Sequence, residues 1–87
     1  MRIIKEYCEG ARVCIIRNAS YGFTVQDALE LIEIVKKDFP SVDLDDANIV
    51  KYGGNRYKYT LGIEFPISKS TPVPNDYLVV ESLEMTL

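Results

Sequence analysis

The longest regular pattern in the chain is Arg56 to Ile67, RYKYTLGIEFPI. Tyr57, Tyr59, Leu61, Ile63, Phe65 and Ile67 alternate with Arg56, Lys58, Thr60, Gly62, Glu64 and Pro66. Successive side chains on a strand face opposite sides of a sheet, so this stretch predicts one half-buried strand, the spine of the fold. At about 3.3 Å per residue it would run for about 40 Å. The alternation stays in phase through Gly62, which therefore reads as a gap on the polar face and not as a bulge.

Two shorter strands are expected at the start of the chain. Arg2 to Tyr7 is the first, and Ala11 to Asn18 the second. Cys8, Glu9 and Gly10 form a three-residue turn between them, with Gly10 in the left-handed conformation. That register sets Glu6 opposite Arg12 and Ile3 opposite Ile15. Val13 to Ile16 is apolar on both faces, which predicts a central strand or one covered on both sides.

The pattern then changes from a period of two to a helical one. Thr24 is the expected N-cap, and Asp27 three residues on completes a capping box. Phe23 and Ala28 stand at hydrophobic-staple positions. The helix is predicted from Val25 to Asp38, stopping before Pro40. Its apolar stripe reads Val25, Ala28, Leu29, Ile32, Val35 and Phe39. Leu31 and Ile34 fall off that stripe, either as ordinary exposed apolar residues or, taken as a pair, as a second contact surface.

An acidic loop from Phe39 to Ala47 leads to a strand over Asn48 to Tyr52. Gly53, Gly54 and Asn55 signal a hairpin. A three-residue loop avoids setting Lys51 against Arg56 or Lys58, and pairs Tyr59 with Ile49, Leu61 with Ala47 and Arg56 with Tyr52. Ser68 to Asp76 is a polar loop with prolines, and Tyr77 to Leu87 is the last strand. The whole reads as one domain, residues 1–87, of the α+β class. Its expected form is an antiparallel sheet of about five strands in the order β-β-α-β-β-β, with one helix packed on one face. The helix would cover Leu61, Ile63 and their neighbours. The opposite face would be left open, and Cys14, Ile16, Leu78 and Val80 on it would invite a homodimer.

Composition narrows the function more by exclusion than by indication. The chain has 87 residues, 47% hydrophobic and 26% charged, as an ordinary globular protein does. It holds no histidine, which removes the commonest general base and metal ligand. Its two cysteines, Cys8 and Cys14, are too few for a disulfide scaffold and lack a histidine to activate them. Asp43, Asp45 and Asp46 resemble a cation-binding loop only in charge, because the glycine and distal glutamate of a calcium loop are missing. No phosphate-loop, dinucleotide or zinc pattern occurs. A non-enzymatic protein without a cofactor is therefore expected. MRIIKEY is not a signal sequence and no stretch is long enough to span a membrane, so a cytoplasmic protein is expected.

Two kinds of partner fit what is left. The first is another protein, met by Leu31 and Ile34 together with the acidic helix face (Asp27, Glu30, Asp38) and the acidic loop (Asp43, Asp45, Asp46). A small inhibitor or adaptor of the kind phages and mobile elements encode would work in this way. The alternative is nucleic acid, bound by Lys51, Arg56 and Lys58 of the basic, tyrosine-rich hairpin. The net charge of −3 and the inward phase of Tyr57 and Tyr59 argue for the first.

Overall fold

A computed structural model describes residues 3–18, 23–52 and 60–81. The Gly53–Asn55 turn, Arg56 to Tyr59 and the chain end beyond Glu81 lie outside the described residues. The elements are β1 (Ile3–Cys8), β2 (Arg12–Asn18), α1 (Val25–Asp38), a single 3-10 turn (Leu44–Asp46), β3 (Asn48–Tyr52), β4 (Thr60–Pro66) and β5 (Leu78–Val79). They form one five-stranded sheet in the order β3-β4-β2-β1-β5. This is the α+β arrangement that the hydrophobic pattern predicts. The sheet is mixed, however, because β5 lies parallel to β1 while the other three pairings are antiparallel.

The apolar run in β2 explains the strand order. Val13, Cys14, Ile15 and Ile16 are all buried, so β2 needs cover on both faces and a neighbour on both edges. It lies between β1 and β4. β2 and β3 are both antiparallel to β4 and hence parallel to each other, so α1 joins them by crossing over β4. This places α1 on the face formed by Val13, Ile15, Leu61, Ile63 and Phe65.

Both hairpins keep the expected faces but not the expected registers. In the first, Ile3 lies opposite Arg17 and Glu6 opposite Cys14, a shift from the predicted Ile3–Ile15 and Glu6–Arg12 pairs. The turn is closed by the Ala11 N–H donating to the Cys8 carbonyl at 3.0 Å. Gly10, with φ 70, is thus the third residue of a four-residue turn, where a type II turn demands positive φ. In the second, Ile49 lies opposite Ile63, Lys51 opposite Leu61 and Tyr52 opposite Thr60. The like-charge argument for a three-residue loop does not apply, because Lys51 faces a leucine. Both shifts move each strand by an even number of residues, so inward side chains stay inward.

The helix begins as its sequence dictates. Thr24 caps it, its hydroxyl accepting from the Asp27 N–H while Asp27 accepts from the Thr24 N–H at 2.8 Å. It ends at Phe39, whose N–H still donates to the Val35 carbonyl and which is followed by Pro40. The buried stripe, however, is rotated from the predicted one. Leu31 is 0% exposed and Val35 is buried beside it, with Ala28, Ile32 and Ile34 packed at the margin. Val25 is 78% exposed and Leu29 48%. Leu31 is therefore a core residue and not part of a second contact surface. Below the helix, Phe39 meets Phe65 and Tyr77 edge-on, with centroids 5.1 and 5.2 Å apart.

The face away from the helix is not the open one that was expected. Cys14 and Ile16 are 0% and 3% exposed, and Thr60 on the same face is 1% exposed. Ile4, Cys8, Val50 and Val80 pack against them. Thr60 satisfies its hydroxyl by donating to the Asn18 side-chain carbonyl at 3.1 Å. Gly62 is buried between Ile16 and Val50 on the neighbouring strands. With its centre covered, this face no longer argues for a dimer.

Candidate functional site

The helix rotation follows from two cations on the sheet. Lys5 of β1 and Arg17 of β2 lie on the face that α1 covers, in phase with Tyr7 and Ile15. A cation under a helix needs an anion above it. The stripe that includes Leu31 and Val35 also carries Asp27 near one end of the helix and Asp38 at the other, so seating it brings each acid to a cation.

At the start of the helix, Arg17 Nη1 donates to Glu30 Oε2, and Arg17 Nε lies 3.1 Å from Asp27 Oδ1. The Nε atom is closed off from solvent and lacks hydrogen-bond geometry, so its contact with Asp27 is an ion pair only. The Thr24 backbone N–H holds the Asp27 carboxyl below the usual carboxylate range against the opposing effect of desolvation, with Arg17 and the Thr24 hydroxyl assisting. At the far end, Lys5 Nζ lies 3.1 Å from Asp38 Oδ2 and 3.0 Å from Asp76 Oδ2. Burial disfavours the lysine's charge, but hydrogen bonds to Asp76 and Asp38 outweigh it and hold Lys5 above the ordinary lysine range. Lys5 Nζ also sits 5.2 Å from the centre of the Tyr77 ring.

Asp27, Glu30 and Asp38 were expected to face a basic partner. Their basic partners are instead Arg17 and Lys5 of the same chain. Asp43 is also engaged, since its carboxylate accepts the Asp45 N–H at 2.9 Å and caps the 3-10 turn. Asp45 and Asp46 remain exposed. Lys51 is exposed on β3, while Arg56 and Lys58 lie outside the described residues.

Among the described residues, a groove beside the helix has the properties of a binding site. Ile3, Arg17, Gln26, Leu29, Glu30, Glu33 and Ile34 line an open groove of about 300 Å³ between the flank of α1 and the start of β1. Ile3 and Leu29 are exposed at 37% and 48%, and Ile34 packs its inner side on the core. Of the residues predicted to touch a partner, Ile34 and Glu30 are in this groove. Ile3, Leu29, Gln26 and Glu33 were missed, because the sequence assigns Leu29 to the core and does not reveal that α1 passes beside Ile3. The retrievable signal was Arg17 itself, a cation in phase with the apolar Val13 and Ile15.

A second hollow, of about 230 Å³, lies between the first turn and the segment after β4, where Glu9, Gly10, Ser68, Lys69 and Thr71 meet. Its hydroxyls are engaged within the turn: the Ser68 backbone N–H donates to Thr71 Oγ1 at 3.1 Å, and Ser68 Oγ pairs with Ser70 Oγ at 2.9 Å. They shape a turn and leave little for a ligand.

No protein-family model matches this chain, and neither the curated proteins nor the solved structures contain a match to it. No helix among the described residues is long and apolar enough to cross a membrane.

Proposed function

We propose that this protein is a non-enzymatic binding module, of the inhibitor or adaptor kind, that engages another protein through the groove between α1 and β1. The observation that supports this reading is the pair Ile3 and Leu29, two large apolar side chains left accessible at the lip of a groove. Their exposure leaves apolar surface in water, which a partner would remove at about 25 cal/mol per Å². The groove replaces the surface centred on Leu31, Asp27 and Asp38, which the fold itself uses.

The test is affinity capture with mass spectrometry, using wild-type protein, Leu29→Glu and Asp45→Lys as baits, each with and without nuclease. A partner held by wild type and Asp45→Lys but lost with Leu29→Glu supports the groove. Capture unchanged by Leu29→Glu rejects it. Capture abolished by nuclease favours the nucleic-acid reading instead.

A further inference from the structure

We infer that the occupant of the groove is a segment of a protein that buries one apolar side chain and presents a lysine or arginine beside it. This rests on the protein-binding reading above and adds the chemistry of the partner. The apolar half of the argument is the lining: Ile3, Leu29 and Ile34 offer hydrocarbon to a space of about 300 Å³, room for a large side chain. A purely polar segment would gain nothing there.

The charge of the groove decides the rest. Arg17 is the one cation among the described lining residues, and its guanidinium is already held between Glu30 and Asp27. Its positive charge is neutralised before a ligand arrives. Glu33 stands on the rim with its side chain 72% exposed, and its contact with Lys36 at 3.6 Å is an exposed helix pair that contributes little. Asp27 and Glu30 thus hold the guanidinium, and Glu33 adds a third carboxylate at the groove. An anionic group entering here, such as a fatty-acid carboxylate or an acidic peptide, would meet Glu30 and Glu33. A cation would meet the carboxylates of Glu30 and Glu33, the latter held only by its exposed contact with Lys36.

The test uses three capped nonapeptides that are identical except at the central three positions: leucine between two lysines, leucine between two glutamates, and serine between two lysines. Each is titrated into the full isotope-labelled protein at low salt, and amide shifts are followed by NMR. The lysine–leucine peptide should shift the amides of Ile3, Gln26, Leu29, Glu33 and Ile34, and bind about tenfold or more tightly than the other two. Glu33→Lys, an exposed change that leaves the fold intact, should weaken that binding about tenfold. Equal binding of the glutamate–leucine peptide at the groove would overturn the charge argument and leave the groove standing. Equal binding of the lysine–serine peptide would overturn the apolar argument. If no peptide shifts the groove amides, the partner chemistry and the protein-binding reading both fall.

Discussion

Tyr77 donates its phenolic hydrogen to Asp38 Oδ2 at 2.8 Å, joining the segment before β5 to the last turn of the helix. The same carboxylate oxygen accepts from Lys5 on β1. Three elements that are remote in sequence therefore meet at one acid, and Tyr77 is buried there with its ring against Phe39.

Removing the hydroxyl tests this junction. Tyr77→Phe keeps the ring and loses a hydrogen bond to a charged acceptor, which should cost about 1.5–3 kcal/mol. Urea denaturation at neutral pH measures it directly. A loss below about 0.5 kcal/mol would mean that Lys5 satisfies Asp38 unaided.

The junction also makes the fold sensitive to alkali. Burial and the bond to Asp38 push the Tyr77 phenol well above the usual tyrosine range, and Lys5 is raised as well. A group whose folded pKa is raised contributes stability in full below its unfolded pKa and loses it as pH rises through the folded value. Stability should accordingly fall above about pH 10. The urea midpoint of Tyr77→Phe should decline less steeply than that of wild type between about pH 9.5 and 11.5.

The acid limb has the opposite sign. Asp27 and Asp76 are both held below the usual carboxylate range, Asp27 chiefly by the Thr24 N–H and Asp76 chiefly by Lys5. Their contribution is present above about pH 4 and lost as pH falls through their folded values. Asp27→Asn should flatten the dependence of the urea midpoint on pH between about pH 2 and 4. An unchanged slope would show that Asp27 stays ionised as readily in the unfolded chain.

The rotated helix stripe gives a paired prediction. Leu31→Ala should cost about 2–5 kcal/mol, because a fully buried leucine leaves a cavity. Leu29→Ala, at a half-exposed position, should cost about 0.5 kcal/mol. A larger loss at Leu29 than at Leu31 would restore the stripe read from the sequence.

Gly10 offers a local check on the first turn. Its φ of 70 disfavours a side chain, and a Cβ there would lie 2.7 Å from Lys69 Cγ. Gly10→Ala should destabilise by about 1–2 kcal/mol from backbone strain alone. Adding Lys69→Ser should recover only the part due to the contact, as thermal unfolding of the single and double variants would show.

Local chemistry made much of this fold legible. Thr24 and Asp27 need only each other's backbone to start a helix, so the capping box is readable from four residues. The in–out alternation of Leu61, Ile63 and Phe65 likewise survived a change of register, because pairing shifts by even steps. Ile49 meeting Ile63 instead of Tyr59 is a choice between two pairings with the same faces, and the alternation has nothing to say about it.

The sequence by itself determined the class of fold, the helix and its cap, the central place of β2 and the inward face of β4. These depend on spacing within a few residues. The tertiary structure alone decided which stripe of the helix is buried, since Leu31 and Leu29 are equally apolar and each lies on a workable stripe. The choice went to Leu31 because Arg17 and Lys5, fixed in the sheet, required Asp27 and Asp38 above them. That long-range charge match engaged Asp27 and Asp38 within the fold, and it left Leu29 beside Ile3 at the edge of a groove.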